Sequence, residues 1–340
     1  MKRFFTLLLW LTPFIGATAQ VPSNRLGLNP LRLRWNQIHT DKVRVIFPEG
    51  LESQGQRVAN VVHYLQENHR ESIGDRFQEV NILLQNQTTI PNGFVTVGPF
   101  RSEFLVTPPQ FLTSGPGDWI DMLAIHEYRH VQQFANTRRG ITELGRAILG
   151  SWVWGGMAGT ALPRWYWEGD AVGTETALTQ AGRGRVPEFD MEYRALVLND
   201  RIYGYEKASA GSLRDFVPDH YSLGYYLTTY ARHHYDPEIW KNVVADAARY
   251  KGIFFPFSRS LNKRTGLRTP ELYRATMQEL DSQWTAKYET MPLSEAKQIS
   301  LEAPDLVRNT FTSYRYPQYQ DDGSVIAEKA ATLRFALLSG

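Results

Sequence analysis

No cysteine occurs anywhere in the 340 residues. That excludes disulfide bonds, a thiolate metal site and anchoring through a lipidated cysteine, so a bound ion would have to be held by His, Asp or Glu. A charge surplus is also lacking. The 37 Lys and Arg against 35 Asp and Glu give +2, which falls to 0 once Lys2 and Arg3 are set aside. Net charge therefore makes no case for nucleic acid or anionic lipid as a partner. No stretch is long and apolar enough for a membrane-spanning helix, for which about 20 residues are needed. The nearest, Ala147 to Leu162, is bracketed by Arg146 and Pro163 and diluted by four glycines, and it reads as a buried helix, with a membrane-contacting segment as the minor alternative. No internal repeat is visible.

What is present begins with Met1-Lys2-Arg3, an apolar run from Phe4 to Ile15, and Gly16-Ala17-Thr18-Ala19-Gln20. A basic start, an apolar centre and a small-x-small exit predict a signal peptide over 1–19. The expectation is export to a periplasmic or extracellular location, with attachment to the envelope left open.

The rest divides by texture into an α+β chain. Over 20–110, alternation predicts strands at Lys42 to Phe47, Phe77 to Leu84, Phe94 to Val97 and Ser102 to Thr107. A helix from Ser53 to Glu71 places Val58, Val61, Val62 and Leu65 on one face. This is a small mixed-sheet subdomain. Over 111–292 helical spacing takes over, with helices at Ile141 to Trp154, Arg164 to Leu178, Met191 to Asn199, Ser222 to His234, Glu238 to Tyr250 and Thr269 to Tyr288. Over 293–340 the pattern is a linker and β strands: Tyr316 to Ala327 as strand, Asp-Gly turn and strand, then Thr332 to Leu338.

His126-Glu127-Tyr128-Arg129-His130 is the most informative segment. On a helix, residues four apart share a face, so both imidazoles can hold one zinc ion with the intervening carboxylate beside its open position. The string alone arises by chance in about one chain in a hundred of this composition, so it needs a companion. Glu168, which lies 38 positions beyond His130 in Trp165-Tyr166-Trp167-Glu168-Gly169-Asp170-Ala171, supplies it. Two neutral ligands and one anionic ligand leave a fourth position for a water whose pKa falls to about 7. Glu127 is then the general base.

These residues resemble the gluzincin zinc metallopeptidases of the peptidase MA clan, and their aminopeptidase N branch in particular. In that branch the third ligand lies in an N-E-G-F-A segment with a further Glu seven residues on; here Trp167 and Asp170 replace the Asn and Phe, while Glu168, Gly169, Ala171 and Glu175 keep their places. The resemblance implies a zincin-like fold and peptide or protein substrates. It also implies a tyrosine that stabilises the oxyanion, and Tyr221-Ser222-Leu223-Gly224-Tyr225 is similar to the Y-x-x-G-F/A helix start that carries it. Tyr221 is then the donor and His220 its competitor. The branch's G-x-M-E-N strand has no counterpart glutamate in Asn92 to Phe100, which leaves a free amino terminus without its anchor and makes cleavage within chains at least as natural. Pro317, Tyr319, Asp322, Gly323, Ile326 and Ala327 resemble the start of a TolB-type β-propeller blade.

Several roles stay open at this level. Glu175 either orients a ligand histidine or is a surface carboxylate, and Asp170 has no favoured assignment. Gly182 to Pro187 reads as a solvated turn, and Trp152, Trp154, Trp165 and Trp167 as core. The combined expectation is an exported zinc metallopeptidase. Its rival is a non-enzymatic exported scaffold or binding protein built on a degenerate peptidase domain plus a propeller.

Overall fold

A computed structural model describes residues 29–110, 115–252, 254–292, 295 and 310–333. The leader expected over 1–19 and the β residues expected over 334–338 lie outside them. Eleven α-helices and two sheets make up the described residues, an α+β architecture.

Strands β1 (Trp35–His39), β2 (Val43–Pro48), β3 (Val80–Gln85), β4 (Asn92–Val97) and β5 (Phe100–Leu105) form one sheet in the order β1-β2-β3-β5-β4. β2, β3 and β5 run parallel, and β1 and β4 are antiparallel edges. In β2 and β3, alternate residues Val43, Val45, Phe47, Val80, Ile82 and Leu84 are buried, which is the period-2 signature of a sheet with a covered face. Helix α1 (Glu52–Asn68) connects β2 to β3 and lays Val58, Val62 and Leu65 on that face. Gly98 and Pro99 form the tight turn of the β4–β5 hairpin.

Helix α2 (Trp119–Thr137) carries the H-E-x-x-H segment. Its N-terminus is fixed by Asp118, whose carboxylate accepts from the backbone N–H of Ile120 and Asp121 at 2.9 and 3.1 Å. Leu123, Ala124, Tyr128 and Val131 close the sheet core from above. The opposite side of α2 meets α5 (Arg164–Leu178), so this helix stands at the junction of two cores. The second core gathers residues of α5, α6 (Pro187–Val197), α8 (His220–His234), α9 (Ile239–Ala248), α10 (Pro256–Thr265) and α11 (Thr269–Thr290) around Trp165, Tyr166, Trp240 and Phe257. The short helix α7 (Tyr205–Ala210) packs against α8 and α11.

Two expectations are corrected here. The helix read over Ile141 to Trp154 is two helices, α3 (Gly140–Leu149) and α4 (Ser151–Ala161), because Gly150 adopts φ +85° and breaks the run. The Ala147 to Leu162 stretch is not a buried helix: Ile148, Leu149 and Trp152 are exposed, while Trp154, Ala158 and Ala161 turn inward. Helices α7 and α10 and strand β1 are not among the elements expected from the sequence, although α10 buries Pro256, Phe257, Ser260 and Leu261 at helical spacing. At the C-terminal side, β6 (Thr310–Tyr319) and β7 (Val325–Leu333) pair as a hairpin with a register shift between Arg315 and Gln318. No closed barrel or propeller occurs among the described residues.

Candidate metal centre

His126 and His130 lie one turn apart on α2, and their Nε2 atoms face each other at 3.2 Å. Glu168, in the second turn of α5, places Oε2 at 3.4 Å from each of those nitrogens. The three donors thus form a nearly equilateral triangle. Ligands of a tetrahedral zinc at about 2.0–2.2 Å from the ion stand about 3.3 Å apart, so the triangle has the size of one face of such a site. Among the described residues, no other group of His, Asp and Glu converges this way.

The tautomers are set by the second nitrogen of each ring. Gln133 donates its amide N–H to the Trp167 carbonyl and to Asp170, both at 2.9 Å, which leaves its Oε1 as the acceptor 2.7 Å from His130 Nδ1. His130 therefore carries its proton on Nδ1 and presents a bare Nε2. At His126, Nδ1 faces Glu175 Oε2 at 2.9 Å and also Arg183 Nη2, a donor, at 2.8 Å; when its Nδ1 proton goes to the carboxylate, this ring too presents a bare Nε2. Two bare nitrogens and a carboxylate oxygen pointing at one spot repel one another unless a cation or a proton lies between them. Glu168 Oε2 is buried without a hydrogen-bond partner, since its contacts to the imidazoles are too long to serve as strong ones. The donor set fits a divalent ion.

Electrostatics agree with the geometry. Burial would raise the Glu168 carboxyl, but His130 and His126 outweigh it and hold it well below the ordinary carboxylate range. Burial likewise opposes a proton on His130, yet Glu168 and Glu127 push that imidazole up to about 9. A cation entering the site competes with that proton for the same lone pair. Glu127 behaves differently: burial raises its carboxyl and the two histidines only partly offset this. Its Oε2 has no hydrogen-bond partner, as a group kept free for proton transfer would.

Glu175 is not a surface carboxylate. It is buried and receives a fork from Arg183, with Nε at 2.8 Å from Oε1 and Nη2 at 3.0 Å from Oε2, plus the Arg183 backbone N–H at 3.1 Å. Burial would raise Glu175, but Arg183 and His126 bring it down to about 2, so it stays an acceptor. Residues Arg183–Arg185 form a 3₁₀ turn folded onto α5, which corrects the reading of Gly182 to Pro187 as a solvated turn. Gly182 has to be glycine: a Cβ there would come within 2.4 Å of Thr176 Cα. Arg183 also lies over the Tyr221 ring, 5.1 Å from its centroid.

Tyr221 is at the start of α8, whose N-terminus is held by Asp219 accepting from the Tyr221 and Ser222 N–H groups. Its ring is near-parallel to His126 at 6.4 Å, and burial raises its phenol above the ordinary range, so it remains protonated at neutral pH. Its position depends on two glycines. A Cβ on Gly169 would fall 2.0 Å from the backbone of Gly224, and one on Gly224 would fall 1.8 Å from the Trp165 carbonyl. Helices α5 and α8 thus touch backbone to backbone, which brings Tyr221 beside the residue that follows Trp167. The His220 ring lies 4.7 Å from Tyr221, tilted by 49°, but does not line the cleft, and its Nε2 is buried and unpartnered.

The site opens into a cleft of about 870 Å³. One wall is Pro91, Asn92 and Gly93 at the start of the edge strand β4, and the floor includes Trp119, Met122 and Leu123. Phe189, Met191, Glu188 and Glu192 form the far wall, and Tyr316 and Pro317 of the β6–β7 hairpin reach its mouth. Gly93 abuts the base: a Cβ there would come within 2.9 Å of Glu127 Oε1. Asp170 points away from the cleft and binds buried Arg129 and Gln133 and the partly buried Arg232. Sequence reading missed Gln133 and Arg183; the i, i+3 spacing of Gln133 from His130 was the available signal for the first.

All five residues expected at the centre, His126, Glu127, His130, Glu168 and Tyr221, line this one cleft. No family model matches the sequence, and no curated protein shows recognisable similarity to it.

Proposed function

We propose that the chain is an exported zinc metallopeptidase of gluzincin type that hydrolyses peptide bonds. The observation that carries this is the triangle of His126 Nε2, His130 Nε2 and Glu168 Oε2, with the unpartnered carboxylate of Glu127 beside it. Bound there, zinc supplies Lewis acidity and lowers the pKa of a water to about 7.

The remaining chemistry belongs to the chain. Glu127 accepts the proton of the attacking water and returns it to the leaving nitrogen, a cycle favoured by a carboxyl raised toward the working pH. Tyr221 keeps its phenol proton and donates a hydrogen bond to the carbonyl oxygen as negative charge develops on it. Glu175, braced by Arg183, and Gln133 hold the two imidazoles in register. β4, an edge strand among the described residues, offers an extended peptide its backbone groups, and the absence of a carboxylate in that strand favours cleavage within chains. A purely structural ion needs ligands but no base, so the free carboxylate of Glu127 weighs against the scaffold reading.

Metal content and casein hydrolysis, measured with and without chelator, test this. About one zinc per chain is expected, with activity lost on chelation and restored by zinc. Glu127→Gln should keep the metal and lose at least about 100-fold in kcat. A chain that binds no zinc, or a Glu127→Gln variant that cleaves as well as the parent, would refute the proposal.

A further inference from the structure

Helix α3 is amphipathic in the wrong sense for a water-facing helix. Its inward side is Thr142, which is buried and donates to the Ala248 carbonyl, and Gly145, set against Val153 and Met157; Glu143 and Arg146, about a third exposed, form an ion cluster with Arg138 at its flank. Its outward side is Ile141, Leu144, Ile148 and Leu149, continued past Gly150 by Trp152, with exposures from 50% at Ile141 to 72% at Trp152. A water-facing helix arranges these faces the other way round. The outer side of α4 beyond Trp152 is Gly156 and Gly159, at which an added Cβ would meet nothing within 4 Å. The ridge is therefore apolar and low.

A second projection stands next to it. Tyr250, whose hydroxyl donates to the Met157 carbonyl of α4, leads into a loop that exposes Phe254 and Phe255. Basic residues flank both projections: Arg146, Arg249, Lys251 and Arg259, the last lying against Gly252. Glu143 pairs with Arg138 and Arg146, and Asp246 with Arg249, Lys251 and Arg264, so two carboxylates face five cations and Arg259 adds a sixth. The local balance is thus positive although the whole chain has almost none.

From this we infer that the α3–α4 ridge and the Phe254–Phe255 loop seat the protein on an anionic lipid bilayer surface, as a peripheral contact. Apolar side chains, an interfacial tryptophan and a cationic rim are what a bilayer headgroup region accommodates. No helix among the described residues is long and apolar enough to cross a membrane, so the contact lies in the interface plane. A second protein is the weaker occupant: stable protein interfaces use about 20–30 residues a side, and this patch offers a third of that. This inference does not depend on the peptidase reading.

Co-sedimentation of the purified full chain with vesicles tests it, using phosphatidylcholine alone and phosphatidylcholine with a quarter phosphatidylglycerol. Binding is expected to the anionic vesicles, to weaken with salt, and to fall at least tenfold in Leu144→Glu/Ile148→Glu and in Lys251→Gln/Arg259→Gln. All four side chains are largely exposed, and Asp246 keeps Arg264 when Lys251 is neutralised, so thermal melting should fall by no more than a few degrees; should the first pair unfold, Ile148→Ser/Leu149→Ser takes its place. A parent chain that stays in the supernatant with both vesicle types overturns the inference, as does equal binding by the variants. So does light scattering that finds a dimer which the same substitutions dissociate, because the ridge is then covered by a second copy.

Discussion

At the scale of single residues, the centre depends on hydrogen bonds that lie behind the ligands. An imidazole whose Nδ1–H loses its acceptor is free to turn, and its Nε2 no longer points at the ion. Glu175→Ala and Gln133→Ala should therefore each weaken zinc binding by about 10- to 100-fold, read by competition with a calibrated chelator. Unchanged affinity would show that helix packing alone orients the rings. The H-E-x-x-H string named the two histidines and the base because their relation is local, a matter of helical spacing. Gln133 was within the same reach, three residues from His130, yet glutamine is common on helices and nothing in its neighbourhood marks it. Arg183 was beyond reach, since its partner Glu175 and the Tyr221 ring come to it only through the fold of the 3₁₀ turn onto α5.

Among the elements, the decisive contact is α5 against α8. Gly224→Ala would place a methyl group on the Trp165 carbonyl, with no flexible side chain to yield. The expected cost is about 2 kcal/mol or more in urea unfolding, with a further loss of activity as Tyr221 moves away from Glu168. Gly159→Ala, on the open side of α4, is the control: it should be neutral or stabilise by up to about 1 kcal/mol. Helix α3 offers a pH test. Hydrogen bonds from Arg146 and Arg138 bring Glu143 down from 4.5 to about 2. Its contribution is therefore complete above pH 4.5 and lost as the pH falls through 2. The cluster is about a third exposed, and solvent screening limits the expected effect to roughly 1 kcal/mol. Glu143→Gln should lower stability by that amount at pH 7 and by nothing near pH 2. A constant difference across that window would assign it to packing instead.

Over the whole molecule, two cores meet along α2, and a buried charge network joins them. Arg129 of α2, Asp170 of α5 and Arg232 of α8 share one carboxylate, held well below the ordinary range because the two guanidinium groups outweigh its burial. Asp170→Ala would leave Arg129 buried without a counter-charge. A loss of about 3–5 kcal/mol is expected from urea unfolding, and a change under 1 kcal/mol would mean that Arg232 or water compensates. The same arrangement explains why Asp170, two residues from Glu168, has no part in the cleft: its helical position points it to the far side of α5.

Sequence by itself determined what depends on neighbours a few residues apart. The strands β2 to β5, the helix bearing His126 and His130, the span of α5 and the start of α11 all follow from period and from punctuation by Gly and Pro. The absence of cysteine determined which atoms can bind an ion. Only the tertiary structure decided what depends on distant segments sharing space. It brought Glu168 Oε2 to the two imidazoles, made Glu175 an orienting group, and exposed the apolar side of α3 where pattern alone implies burial. The reason is physical: a helical period says which residues share a face, but whether that face meets protein or solvent depends on where the rest of the chain packs.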